Sequence, residues 1–186
     1  MTPKVVFASA ALAITLGFAA PASPAAFVLG GGLADACSQF AVKGKSDDYS
    51  LNTCTYALET EVLVKRDRAA TLVNRGIIQL RRKKYDAANR DFDLAIKLQP
   101  AMGEAWVNRG AALIAQRRWQ EGKDDIDKGL ALGSDEPEKA YFNRALAWEA
   151  LDDMEAAWRD YSKAVELKPD WEAPRKELVR FTVTQK

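Results

Sequence analysis

Between residues 67 and 168 the apolar positions recur at helical spacing, and short polar clusters cut them into pairs of segments. Leu72, Gly76 and Leu80 share one face of a helix predicted over 67–82, with Asp67 as its N-cap. A second helix is predicted over 86–98, ended by Pro100. The same alternation predicts helices over 103–117 and 120–132, then 138–151 and 153–167, stopped before Pro169. Upstream, a short helix over 33–42 leads through the turn cluster Gly44-Lys45-Ser46-Asp47-Asp48. Ser50 then caps a helix running to about Val64, with Leu51, Cys54, Ala57 and Leu58 on one face. Downstream, Asp170 caps a polar last helix to about Thr182, with Pro174 in its first turn, where a missing N–H matters least. The pattern predicts an all-α chain of stacked antiparallel helix hairpins.

The pattern also repeats. Val73-Asn74-Arg75-Gly76, Val107-Asn108-Arg109-Gly110 and Phe142-Asn143-Arg144-Ala145 lie 34 and 35 residues apart. Such a period marks helix pairs that bury their faces on one another. In register, one slot holds Leu72, Trp106 and Tyr141, and a small slot holds Gly76, Gly110 and Ala145. Further small slots hold Ala88, Gly122 and Ala157, then Ala95, Gly129 and Ala164; Phe92, Ile126 and Tyr161 fill an aromatic or aliphatic slot. These residues resemble the tetratricopeptide repeat family, whose pattern is W-x-x-L-G-x-x-Y, A-x-x-x-F, a small residue and Pro. The resemblance implies a TPR-like α-solenoid, a right-handed superhelix. Its repeats are 67–100, 101–134 and 135–169, after a degenerate N-terminal hairpin (33–66) and before a capping helix and tail (170–186).

All three copies depart from the family in the Leu slot, which holds Arg75, Arg109 and Arg144. Sixteen residues after each stands Asp91, Asp125 or Asp160. An arginine beside a hairpin core needs a partner, so the spacing predicts one bidentate ion pair per hairpin, structural in role. By the family's register the first helices line a concave, partner-holding groove. Its residues here are Val73, Asn74, Ile77 and Leu80; Val107, Asn108, Ala111 and Ile114; and Phe142, Asn143 and Leu146. An asparagine amide both donates and accepts, so one per hairpin could track a peptide backbone. The family's carboxylate clamp is not expected: Val73 and Ile77 fill two of its slots and Asn143 its arginine slot, leaving Asn108 and Lys139.

The first residues read as an export signal spanning 1–22. Lys4 precedes an uncharged apolar run from Val5 to Ala20, and Ala20-Pro21-Ala22 offers the cleavage pattern. Residues 23–32 read as a flexible lead-in with three glycines. Export to the periplasm or beyond gives Cys37 and Cys54 a meaning, since an oxidising compartment favours a disulfide. The 186 residues carry 27 basic and 26 acidic side chains and no histidine. That balance points away from nucleic acid, and the missing histidine removes the common nucleophilic triads and the commonest metal ligand. No enzyme, cofactor, metal site or small-molecule substrate is expected, and membrane contact only through the cleaved signal. The function implied is protein–protein interaction: an adaptor or assembly factor for a partner of unknown identity. The alternative is a self-associating scaffold.

Overall fold

The computed structural model describes residues 4–7 and 32–184. The leader's apolar run beyond Phe7, the cleavage motif and most of the lead-in lie outside the described residues. Within them, four helix hairpins follow one another: α1 (Leu33–Val42) with α2 (Asp48–Thr60), α3 (Lys65–Arg81) with α4 (Tyr85–Leu98), α5 (Gly103–Ala115) with α6 (Trp119–Leu132), and α7 (Pro137–Ala150) with α8 (Met154–Leu167). A short α9 (Glu172–Leu178) closes the end. Each hairpin's second helix packs on the first helix of the next, and α1, α3, α5 and α7 also approach one another in series. No comparable series joins the second helices, so the stack curves with its first helices on the inner face. The fold is a TPR solenoid.

Small residues set the closeness of this packing. A Cβ at Gly110 would lie 2.7 Å from the Gly122 carbonyl oxygen, and one at Gly122 would lie 2.8 Å from that of Gly110. The axes of α5 and α6 therefore meet backbone to backbone, with Ile126, fully buried, filling the space beside them. Each repeat's inner turn also takes one residue through a left-handed conformation: Lys83 (φ 58°), Arg117 (φ 62°) and Asp152 (φ 65°). These stand 34 and 35 residues apart, so the period extends to the turn backbone.

Helix ends differ from expectation in instructive places. The cap of α2 is Asp47, whose carboxylate accepts from the Ser50 backbone N–H at 2.8 Å and from its hydroxyl at 2.9 Å; Ser50 is the capped residue. Helix α3 starts at Lys65 behind Val64, and α9 starts at Glu172 behind Trp171, with neither Asp67 nor Asp170 at an N-cap. The last helix stops at Leu178, short of Thr182, and the chain continues as a strand, β2 (Phe181–Thr184). It pairs antiparallel with β1 (Lys4–Phe7), Lys4 opposite Thr184 and Phe7 opposite Phe181. Residues read as the start of the leader thus close a two-stranded ribbon at the C-terminal end of an otherwise helical stack.

Candidate functional site

The arginine row is built as a series of three-way clamps. Arg109 Nε and Nη2 donate to the two carboxylate oxygens of Asp125 at 2.6 and 2.7 Å, and Nη1 donates to Asp93 at 2.7 Å. Arg144 repeats this with Asp160 at 2.7 and 2.8 Å and Asp127 at 2.6 Å. Arg75 grips Asp91 at 2.8 and 2.7 Å, and Thr55 Oγ1 takes the third place at 3.4 Å. Each guanidinium therefore joins its own hairpin and reaches back to the second helix of the preceding one. The bidentate partners Asp91, Asp125 and Asp160 are 3%, 7% and 6% exposed, so these pairs are largely out of water. The bonds to Asp125 hold the Arg109 guanidinium above its ordinary pKa. At Arg144 burial pulls the other way, and the bonds to Asp160 and Asp127 outweigh it. Trp106 and Tyr141 lie under Arg109 and Arg144, with 4.9 and 5.2 Å from guanidinium carbon to ring centroid.

The inter-hairpin carboxylates were not anticipated. Their signal is in the chain as Asp91-x-Asp93 and Asp125-x-Asp127, one repeat apart, the first residue serving its own hairpin and the second the next. The basic turn residues serve the stack as well. Arg81 donates to the Ala41 carbonyl at 2.7 Å and Arg82 pairs with Asp48 at 2.6 Å, tying α3 to the first hairpin. Trp119 and Trp158 pack half-buried against the core. A cleft of about 390 Å³ beside Arg109 is lined by Asn89, Asp93, Leu113, Arg118 and Glu121. Its charges pair among themselves, Arg109 with Asp93 and Arg118 with Glu121.

Of the eleven groove positions, nine are buried and only Leu80 and Leu146 are partly open. The apolar ones turn toward their own second helices. Val107 comes within 2.5 Å of where a Cβ on Gly129 would stand, and Ile114 within 2.6 Å of one on Gly122. Val73 and Ile77 share a core cluster with Phe92, and Ala111 shares one with Ile126 and Ala140. Phe142 sits between Tyr161 and Trp171, ring centroids 5.5 and 5.0 Å away. Asn74, Asn108 and Asn143 are all fully buried, one in each first helix of the three repeats. Asn108 spends its amide N–H on the Glu104 carbonyl at 2.7 Å, one turn back along α5. Its Oδ1 has no hydrogen-bond partner among the described residues. Lys139, at the mouth of α7, is paired with Glu136.

The two cysteines meet in the first hairpin as a disulfide, S–S 2.04 Å, joining α1 to α2 where no arginine does so. Among the described residues no three His, Cys, Asp or Glu side chains gather to hold a metal, and no helix is long and apolar enough to cross a membrane.

Residues 138–170 match the tetratricopeptide repeat family model. That segment of the chain is a tetratricopeptide repeat. Over 128 residues it is 29% identical to RNA polymerase II-associated protein 3 of Mus musculus, covering 69% of this chain and 19% of that protein. It is 31% identical over 117 residues to a DnaJ homolog subfamily C member 7 homolog of Schizosaccharomyces pombe, covering 61% and 24%. The chain thus spans about a fifth of the length of these two relatives. Among solved structures, the first TPR of Spaghetti (RPAP3) bound to HSP90 peptide SRMEEVD is 27% identical, with a TM-score of 0.57 over 60% of this chain and 90% of that one. A MamA double mutant, at 20% identity and a TM-score of 0.62 over 78% of this chain and 79% of that one, shares the fold.

Proposed function

We propose that this tetratricopeptide repeat chain is an exported protein-interaction module of the cell envelope that holds an extended segment of a partner protein over its asparagine row. The observation that carries the reading is Asn108: a fully buried amide whose Oδ1 is left without a donor. An unmet buried acceptor costs about 1–3 kcal/mol; Asn108 is closed to solvent in the free chain, so a peptide backbone N–H meets it only as the segment parts the side chains above it. Leu80 and Leu146 flank it at the junctions with the neighbouring hairpins and are the partly open apolar surface left for the segment's side chains. A related fold binds a peptide that ends Glu-Glu-Val-Asp. Here Val73, Ile77 and Asn143 occupy the places where that class of clamp needs basic and polar groups, so the segment suited to this face is apolar and needs no terminal carboxylate. The apolar leader and the Cys37–Cys54 bond support a site of action outside the reducing cytoplasm.

The test is a crosslinked pull-down from envelope extract with wild type, Asn108→Leu and Leu146→Glu, circular dichroism confirming that each is folded. A partner held by wild type and lost from both variants supports the reading. A partner retained by both folded variants overturns it. N-terminal sequencing of the chain recovered from the envelope fraction checks export, with a start near Ser23 expected and an intact Met1 in the cytoplasm contradicting it.

A further inference from the structure

Six of the ten exposed large hydrophobic side chains among the described residues fall in one hairpin: Leu33, Val42, Tyr49, Tyr56, Val62 and Val64. The three repeats, though much longer, contribute only Leu94, Leu151 and Leu167. Single exposed apolar residues are ordinary, whereas a concentration of them marks a contact surface. Two of the six, Tyr49 and Tyr56, share one face of α2. Helix α2 buries Ser50, Thr53, Cys54, Ala57 and Leu58. Its other side carries Tyr49, Asn52, Tyr56 and Glu59, all exposed, at spacings of three, four and three residues. The tyrosines, 73% and 56% exposed, are two turns apart on one stripe. Tyr49 leans on Phe40 of α1, ring centroids 5.6 Å apart. Tyrosine supplies large contact area with a polar tip, the chemistry enriched at protein interfaces.

We infer that the outer face of α2 is the dimer interface of this protein, where a second copy docks antiparallel, α2 on α2, about a two-fold axis at Asn52–Thr53. The stripe is self-complementary under that operation. Tyr49 of one copy meets Tyr56 of the other, and the reverse contact forms on the far side of the axis, as an isologous interface requires. Charge agrees with the register. Lys45, four residues before Tyr49, comes beside Glu59, three residues after Tyr56 in the other copy, and both are exposed. The same operation therefore makes two Lys45–Glu59 pairs, and Asp48, the exposed first residue of α2, is neutralised by Arg82 of its own copy. End-to-end stacking has no such fit, because the opposite end of the solenoid is closed: Trp171 at the start of α9 covers Phe142. The inference is independent of the groove, which lies on the inner face.

The chain starting at Ser23 and the full chain are both measured by light scattering across a concentration series, beside Tyr49→Glu/Tyr56→Glu, Lys45→Glu, and Lys45→Glu/Glu59→Lys. All these positions are exposed, so each variant keeps the wild-type helical signal. Wild type is expected to double its mass with concentration and the tyrosine variant to remain single. Lys45→Glu should weaken the dimer about tenfold, and the charge swap should restore it. The described cysteines are both in the disulfide, so single Tyr49→Cys and Tyr56→Cys chains can be joined by a short bismaleimide. The mixture should crosslink more strongly than either alone. A wild type that stays monomeric, a dimer untouched by the tyrosine variant, or a charge swap without rescue overturns the proposal.

Discussion

Asn108 and Arg109 are neighbours in sequence, yet their side chains meet opposite conditions. Arg109 donates three hydrogen bonds to two carboxylates on two different helices, and every one of its donor nitrogens is used. Asn108, more deeply buried, uses its amide N–H on its own helix and leaves its oxygen unmet. A buried polar group that is fully partnered is part of the scaffold; one held buried without its partner is a place where stability has been given up. The two residues share one period, and only the arginine has every polar atom engaged.

The largest effect should come from breaking the arginine row. Arg109→Ala strands a buried Asp125 carboxylate and unties α4 from α6, so a loss of about 3–5 kcal/mol is expected in urea unfolding. Arg109→Lys should recover only part of it, because an ammonium cannot span three oxygens in a plane. Next is the hairpin that has neither row. Replacing Cys37 and Cys54 by Ser should cost about 3 kcal/mol for a loop of this size. The loss should appear as faster hydrogen exchange in α1 and α2 with the three repeats unchanged, and uniform acceleration across the chain would contradict the division. Gly110→Ala places a methyl group on the Gly122 carbonyl and should cost about 1–3 kcal/mol, visible as a lower melting temperature.

A smaller, pH-dependent effect marks a buried polar group that is satisfied. Tyr161 is fully buried and donates to Glu149 at 2.5 Å. Burial, with the Glu149 charge beside it, raises its phenol well above the usual range. The unfolded phenol releases its proton near pH 10, and the folded one only at higher pH. Below that point both states are protonated and the term is constant; above it the unfolded state is favoured and stability falls. Tyr161→Phe should flatten this alkaline decline in unfolding free energy, measured from about pH 8 upward.

Much of this was legible in the chain. The predicted helices of the repeats fall within about two residues of the observed ends, because caps, prolines and a strong period act locally. The sixteen-residue spacing from Arg109 to Asp125 sits within one hairpin, where sequence distance still encodes spatial distance. Asp93 and Asp127 were missed because they act on the next hairpin, a relation that depends on how the units stack. The groove's side-chain directions were hidden for the same reason. Glycines at 122 and 129 leave room that Ile114 and Val107 fill, turning these residues away from the inner face. The strand after Leu178 carries no repeat register, and its pairing with Lys4–Phe7 joins the two ends of the sequence, beyond the reach of any local pattern.

On the proposed reading Asn108 meets a partner, while Arg109 serves the fold. The most direct measurement is the unfolding free energy of Asn108→Leu beside Arg109→Ala in the same buffer. Asn108→Leu removes an unmet acceptor, so a change near zero or a gain of up to about 1 kcal/mol is expected, against the large loss at Arg109. A loss at Asn108 equal to that at Arg109 would show that both residues belong to the scaffold, and would remove the basis for placing a partner on the inner face.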